Sequence, residues 1–282
     1  VVIEEIATLL RRAPALVLSG AGISTDSGIP DYRGPDGTRR VRPMEYGEFV
    51  RDPAARQRYW ARAYVGWKRF HQAAPNSGHR AVTALQQAGA VGHVITQNVD
   101  GLHQRAGTDH VTELHGTLTR VVCLTCGDRT DRATLDDRMA AANPDYAVET
   151  DEIRPDGDVA LEALDVERFT APTCLSCGAD TLKPDVVFFG ESVPRDRVAH
   201  CFALTDDAPA LLVIGSSLQV MSGLRFVKRA AARQIPVVVI TRGPTRGDDL
   251  VTHRIDGELA MHLPRLADLV TAPPRPTRLH QV

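Results

Sequence analysis

Lysine is almost missing from this chain: of 33 basic residues only Lys68, Lys183 and Lys228 are lysine. Arginine carries the rest of the positive charge, which reads as genome composition and not as mechanism. Neither sign is in excess, since 33 basic against 35 acidic residues leave a net charge of −2. No global basic field therefore points to nucleic acid or to an anionic membrane surface, and neither is expected as a partner. No apolar run reaches the roughly 18 residues of a membrane span. The opening "VVIEEIATLLRRAPALVLSG" is interrupted by Glu4, Glu5, Arg11 and Arg12, so it reads as neither a span nor a signal peptide, and the cytoplasm is the expected address. Cysteine is limited to five residues, and without a secretory signal these argue for thiol or metal chemistry over disulfides.

What is present is the apolar content, 43%, of an ordinary soluble protein. A length of 282 residues suits one elaborated domain or a large domain with a small one. Ile3, Ile6, Leu9 and Leu10 recur at helical intervals before Pro14. "ALVLSG" (15–20), "GHVITQN" (92–98), "ALLVIGSS" (210–217) and "PVVVIT" (236–241) are short Val/Ile-rich runs ending in small or polar residues, the pattern of parallel strands buried on both faces. Helical patterns at 76–89 and 223–234 lie between them, so the fold class is α/β with a parallel sheet. Aromatics make up only 5% of the chain, yet seven of them, Tyr46 to Phe70, crowd into residues 43–70. That segment predicts a helix core, or else a lid or pocket wall. Residues 128–172, acidic and proline-containing, read as an insertion that is partly loop.

Two pairs, Cys123-x-x-Cys126 and Cys174-x-x-Cys177, each followed by glycine, have the form of two zinc knuckles. Together they predict a closed four-thiolate site for one structural Zn2+. The 47 residues separating Cys126 from Cys174 exceed the roughly 15–20 of a simple ribbon, so an insertion must loop out between them. Cys201 stands alone and reads as a buried small hydrophobe.

Gly20-Ala21-Gly22, after the first strand, fits a turn whose amides approach a diphosphate. Thr25 stands where a third glycine would be, and Gly28 and Pro30 cut the following helix short. Gly215-Ser216-Ser217 forms a second small polar rim at a strand end. "TQNVDG" brings Gln97, Asn98 and Asp100 to another strand end, where unpaired burial is costly and a ligand or mutual pairing is required. His115, in "ELHG", follows closely, and its context sets it apart from the other histidines as a candidate for catalysis. Val187, Phe188, Phe189, Gly190 and Glu191 close an extended run that is either core or an edge for strand addition by a peptide, with residues 216–223 opposite.

In order and combination, "GAGIS", "GIPDYR", "TQNVDGLH", "ELHG", the two CxxC pairs, "LKPDVVFFGE" and "IGSSLQV" resemble the sirtuins, NAD-dependent protein-lysine deacylases, and in detail a bacterial class II member. The resemblance implies a catalytic domain over residues 1–270. Its large Rossmann-like part would take about 1–34, 79–118 and 184–270, a helical lobe about 35–78, a zinc module about 119–183, and a disordered tail 271–282. It implies NAD as a consumed co-substrate and acyl-lysine peptides or proteins as partners. Gly20, Ala21 and Gly22 would contact the diphosphate; Ala21, Ile23, Ser24, Asp31, Tyr32 and Arg33 would belong to the cofactor loop, with "TDSGIPDYRGPDG" a mobile flap over the nicotinamide ribose. Gln97, Asn98, Val99 and Asp100 would line the ribose and nicotinamide pocket, and Gly215, Ser216 and Ser217 the adenosine side, together with Thr241, Arg242, Gly243 and Leu259. The family often has Asn at the place of Thr241, whose hydroxyl can take over only part of that contact. Asn98 would help strain NAD toward loss of nicotinamide, the acyl oxygen would attack the ribose carbon, and His115 would act as base on the ribose hydroxyls. The products implied are nicotinamide, O-acyl-ADP-ribose and free lysine.

Three other readings compete. An NAD(P) oxidoreductase is disfavoured by the missing third glycine and the broken helix; a zinc-containing interaction module is disfavoured by the polar strand ends; an ADP-ribosyltransferase or NAD hydrolase would share the early chemistry. Tyr59 and Arg62 match the Tyr-x-x-Arg spacing of succinyl-selective members, but in different surroundings. Acetyl or a longer, less charged acyl group is therefore expected.

Overall fold

The computed structural model describes residues 1–34, 38–39, 41–148 and 154–272; the residues 273–282 of the expected tail lie outside it. Nine strands are found among the described residues: β1 (Ala15–Ser19), β2 (Val91–Thr96), β3 (Val111–Glu113), β4 (Gly116–Cys123), β5 (Arg129–Asp131), β6 (Leu182–Val186), β7 (Leu211–Ile214), β8 (Val237–Thr241) and β9 (His253–Asp256). Six form one parallel sheet in the order β3-β2-β1-β7-β8-β9. The remaining three form an antiparallel sheet, β5-β4-β6.

The Val/Ile-rich runs are the centre of the parallel sheet because every residue of β1, β7 and β8 is buried, which only a sheet covered on both faces permits. One face packs on the helices Val2–Arg12, Ser77–Gln87 and Leu259–Thr271, through Ile6, Leu10, Val82, Leu85, Leu263 and Leu266. The other packs on Arg195–Asp207 and Met221–Ala232, through Cys201, Leu224, Phe226 and Val227. Cys201 is wholly buried and lies apart from the other cysteines. After β1 the chain builds β2 and β3 on one side and then crosses to β7 on the other. The order reverses between β1 and β7, and there the carboxyl ends of the strands open a crevice.

The crowded aromatics form the helices Tyr46–Arg51 and Pro53–Gln72. Phe49, Tyr59, Trp60, Trp67 and Phe70 share one core with Leu118, Val121, Leu135, Met139, Phe169 and Val186, so the helical segment and the small sheet fold as a joint body. Within it the Trp60 indole donates to the Leu182 carbonyl at 2.9 Å, and the buried Arg132 donates to the Ala63 carbonyl at 3.1 Å beneath the Trp67 ring. The insertion is more ordered than its composition suggests. It forms β5, a helix over Arg132–Ala142 capped by Asp131, and a short helix over Ala163–Arg168. Its return segment lies directly on the long helix: a side chain added at Gly66 would stand 2.2 Å from the Gly157 carbonyl oxygen.

That contact reverses an ordinary propensity argument. In an exposed helix interior Gly→Ala stabilises by about 1 kcal/mol, whereas Gly66→Ala is expected to lower Tm by several degrees, the mark of overpacking that costs about 1–3 kcal/mol. Gly92→Ala, whose added carbon meets nothing closer than 3.5 Å, is the control and should melt near the parent. Thermal unfolding of the two variants checks the sign.

Candidate active site

The crevice is a cavity of about 890 Å³ built where β1, β2 and β7 end. Its floor depends on three glycines. Gly22 donates to the Gly215 carbonyl at 2.8 Å and Gly20 to the Ile214 carbonyl at 3.0 Å. Side chains added at Gly20, Gly22 or Gly215 would stand 2.5–2.9 Å from the facing backbone, and Gly215 has φ = 60°. The two rims are thus one surface of backbone and small side chains.

Polar groups above this floor are paired to one another. Ser24 Oγ donates to Asp100 at 2.7 Å and accepts from Asn98 Nδ2 at 3.1 Å, which also reaches the Gly20 carbonyl at 3.2 Å. Asp100 accepts further from the Leu102 amide at 2.9 Å; burial pushes its carboxyl upward and these hydrogen bonds oppose the rise. Gln97 Nε2 reaches Ser216 Oγ at 2.9 Å and the Ser19 carbonyl at 3.2 Å, tying β2 to both rims.

His115 follows β3, and its tautomer is set by its neighbours. Nδ1 lies 2.8 Å from the Gln97 carbonyl, which can only accept, so Nδ1 carries the proton. Nε2 is left as the acceptor for Ser222 Oγ at 2.8 Å. Burial drives the imidazole pKa down to about 4; the Gln97 carbonyl opposes that shift, and Arg197 and Arg225 add to it. His115 is accordingly a neutral base at neutral pH.

The predicted residues converge on this cavity: Gly20, Ala21, Gly22, Ser24, Asp31, Tyr32, Arg33, Gln97, Asn98, Val99, Asp100 and His115 line it, as do Gly215, Ser216, Ser217, Thr241, Arg242, Leu259 and the run Val187–Glu191. Two do not. Ile23 turns its side chain into the core at 1% exposure, since the loop must be anchored somewhere, and only its backbone faces the floor. Gly243 stands behind the wall, its amide held by Asp256 at 3.0 Å. Glu191 lines the cavity while engaged by the Phe188 amide at 2.8 Å and Lys183 at 3.0 Å. The expected flap is also narrower. Ile23 and Ile29 are buried, and Asn76 donates to the Ile23 carbonyl and Ser27 Oγ, so the first part of the expected flap is anchored to the body of the protein. Gly37, assigned to the flap, lies outside the described residues.

The sequence assigns no individual role in the site to several lining residues. Tyr59 reaches the cavity from the long helix, whereas Arg62, one turn on, is not among the lining residues. Asp156 reaches it from the insertion and pairs with Asp158 behind it. Burial pushes both carboxyls up, Asp158 to about 8 with the help of the Asp156 charge. Arg154 stands 3.6 Å from Asp158. Ser222 could have been found only through its spacing from the second rim.

Away from the crevice, Cys123 and Cys177 Sγ lie 3.7 Å apart, as do those of Cys126 and Cys174, and all four fall within 4.8 Å of one another. A tetrahedron of four sulfurs with Zn–S of about 2.3 Å requires S···S of about 3.8 Å. Gly127 and Gly178 close equivalent turns, each amide bonding the carbonyl of the first cysteine of its pair at 2.9 Å. The donor set and its size fit one zinc ion with no open position.

A nucleotide-type crevice at a sheet reversal, a neutral buried histidine beside it and a closed thiolate cage define an α/β enzyme with a structural metal module. The Sir2 family profile matches residues 20–222. The chain is 50% identical over 279 residues to NAD-dependent protein deacetylase 1 of Mycobacterium avium (strain 104), covering 97% of this chain and 96% of that protein. It is 45% identical over 266 residues to the mitochondrial NAD-dependent protein lipoamidase sirtuin-4 of Bos taurus, covering 93% and 84%. A solved structure described as "Sir2-p53 peptide-NAD+" matches with TM-score 0.75 and 29% identity over 94% of this chain and 96% of that one. This chain belongs to the Sir2 family.

The carboxyl pair has a testable consequence. An acid whose pKa is higher folded than unfolded destabilises the fold as pH rises from its unfolded value, about 4, through its folded one. Stability should therefore fall between about pH 4 and 8. Asp158→Asn, which keeps a donor for Asp156 without the charge, should flatten that decline, so that Tm of the variant gains on the parent as pH rises. Melting curves across this range decide it; parallel curves would remove the upward shift of Asp158.

Proposed function

We propose that this chain is an NAD-dependent protein-lysine deacylase, with NAD along the glycine floor and an acyl-lysine entering between residues 187–191 and 217–222. The observation that carries the reading is His115: a buried imidazole with Nε2 unprotonated, in the same wall as Asn98 and Asp100. NAD, when bound, supplies an electrophilic ribose carbon and a nicotinamide leaving group. Gly20, Ala21 and Gly22 offer backbone close to a diphosphate, and Gly215, Ser216 and Ser217 take the adenosine side. Asn98 and Asp100, preorganised by Ser24, hold the nicotinamide end. His115 accepts a proton at Nε2 from a ribose hydroxyl, with Ser222 giving way as its partner, and the Gln97 carbonyl steadies the imidazolium formed at Nδ1. Ile29, Tyr32 and Phe188 wall the space and exclude water, which would otherwise hydrolyse the activated sugar.

The zinc cage ties the turn that ends β4 to the turn that leads into β6, at one end of the small sheet, and supplies no chemistry. Its free thiols require a reducing compartment until metal is loaded, which supports a cytoplasmic address. Among the described residues no helix is long and apolar enough to cross a membrane. The acyl end is walled by Met44, Leu118, Val186 and Phe188, and Arg62 stays outside it. Both points support acetyl or a longer uncharged acyl group.

Incubation with NAD and acyl-lysine peptides, followed by mass spectrometry, should give peptide-dependent nicotinamide, O-acyl-ADP-ribose and free lysine. NADH, or nicotinamide without acyl transfer, would refute the assignment. His115→Ala should lose about 10²–10⁴ in kcat while binding NAD. Because burial lowers the His115 pKa to about 4, kcat/KM should stay level from pH 8 down to about 5.5; an acid limb near 6.5 would show a solvated histidine. Chelation of the metal should melt the small sheet first, seen as early loss of Trp60 and Trp67 fluorescence.

A further inference from the structure

The mouth through which a peptide would enter carries an uncompensated positive charge. Arg195 and Arg225 line the cavity on its two opposite edges, the first beyond Glu191 and Val193, the second one turn after Met221. Neither has a carboxylate within ion-pairing distance among the described residues; Arg225 makes only a 3.3 Å contact from Nε to the Met221 carbonyl. On the same helix, Arg229 and Arg233 both pair with Asp206, at 2.7 and 3.1 Å. Further into the cavity Arg242 pairs with Glu258 at 2.9 Å. The one carboxylate on the peptide edges, Glu191, is already held by Lys183 and the Phe188 amide. Lys228, one turn beyond Arg225, is exposed and likewise has no acidic partner among the described residues. Arg195 and Arg225 thus stand, without an acidic partner among the described residues, where the substrate's flanking residues must pass.

We infer that the preferred substrates carry aspartate or glutamate within two positions of the acyl-lysine, read by Arg195 and Arg225. This rests on the deacylase reading above and names the class of peptide which that site takes. The arginines act by complementarity at a half-solvated rim, so they set encounter and discrimination more than tight binding, and salt must weaken them. Arg225 also repels a proton from His115, together with Arg197, so one of the charges that attract an acidic peptide helps to keep the base neutral.

The test uses acetyl-lysine peptides alike except for two flanking residues, Asp, Ala or Lys, with the full-length protein. At 50 mM salt kcat/KM for the Asp peptide should exceed that for the Lys peptide about tenfold, the gain expected of two exposed ion pairs with their repulsive counterparts. At 0.5 M salt the ratio should fall below about threefold. In R195Q/R225Q the ratio should approach one even at low salt. A ratio is unaffected by a general loss of activity, and unchanged Tm confirms folding. Equal rates for the three peptides at low salt, or a double variant that raises KM for NAD and leaves the peptide ratio intact, would overturn the inference while sparing the deacylase reading. Failure of every peptide to react would remove both.

Discussion

Everything at the site depends on two backbones meeting without side chains between them. The β1 turn and the β7 turn touch through Gly20, Gly22 and Gly215 at distances no Cβ tolerates. Because these strands are neighbours in the sheet, the contact converts two separate strand ends into one floor. The floor in turn dictates what stands on it. Ser24 can bridge Asn98 and Asp100 only because the glycine turn places it beside β2, and Gln97 can span both rims only because they are in contact. A bulkier residue at any of the three positions would separate the walls and leave buried amides and carboxyls without partners, a cost of the order of 1–3 kcal/mol for each.

Burial then fixes protonation. Two other histidines beneath the loop, His79 and His103, are held neutral by desolvation, at about 4 and about 3, and their rings pack edge to face at 5.1 Å. His103 hydrogen-bonds Ser19 at 2.9 Å, and Asn76, which caps the helix beginning at Ser77, also grips the loop. These groups support the floor from below and have no access to the cavity. His115 shares their desolvation but faces the cavity, with its Nε2 lone pair toward the Ser222 hydroxyl. The difference between His115 and the two histidines beneath the loop is therefore one of direction, since all three lose charge for the same reason.

The central strands could be read in the sequence because burial on both faces leaves an unbroken Val/Ile run ending in a small or polar residue, and β1, β2, β7 and β8 all have that form. β3 and β9 lie at the edges, are three and four residues long and only half-buried, so no apolar run marks them. The thiolate cage was legible because metal geometry imposes local spacing on each knuckle. The crevice residues were legible because polar groups at the end of an apolar strand need a reason to be there. Ser222 and Tyr59 are marked only as members of a segment, an edge over 216–223 and an aromatic helix that could be core or pocket wall, since packing explains the composition of each helix equally well.

The insertion shows why spacing alone misleads. Tyr59 and Arg62 lie three residues apart on one helix, close enough to share a face, and a pocket for an acidic acyl group would need both. Tyr59 has 2% exposure and a place in the cavity wall. Arg62 is instead half-buried on the side where the insertion crosses the helix at Gly66 and Gly157: burial lowers its pKa, Asp158 and Asp156 oppose the drop, and Arg154 and Arg58 add to it. A segment that composition marks as partly loop therefore decides what surrounds an arginine on the neighbouring helix, and only Tyr59 of the pair is left to line the cavity.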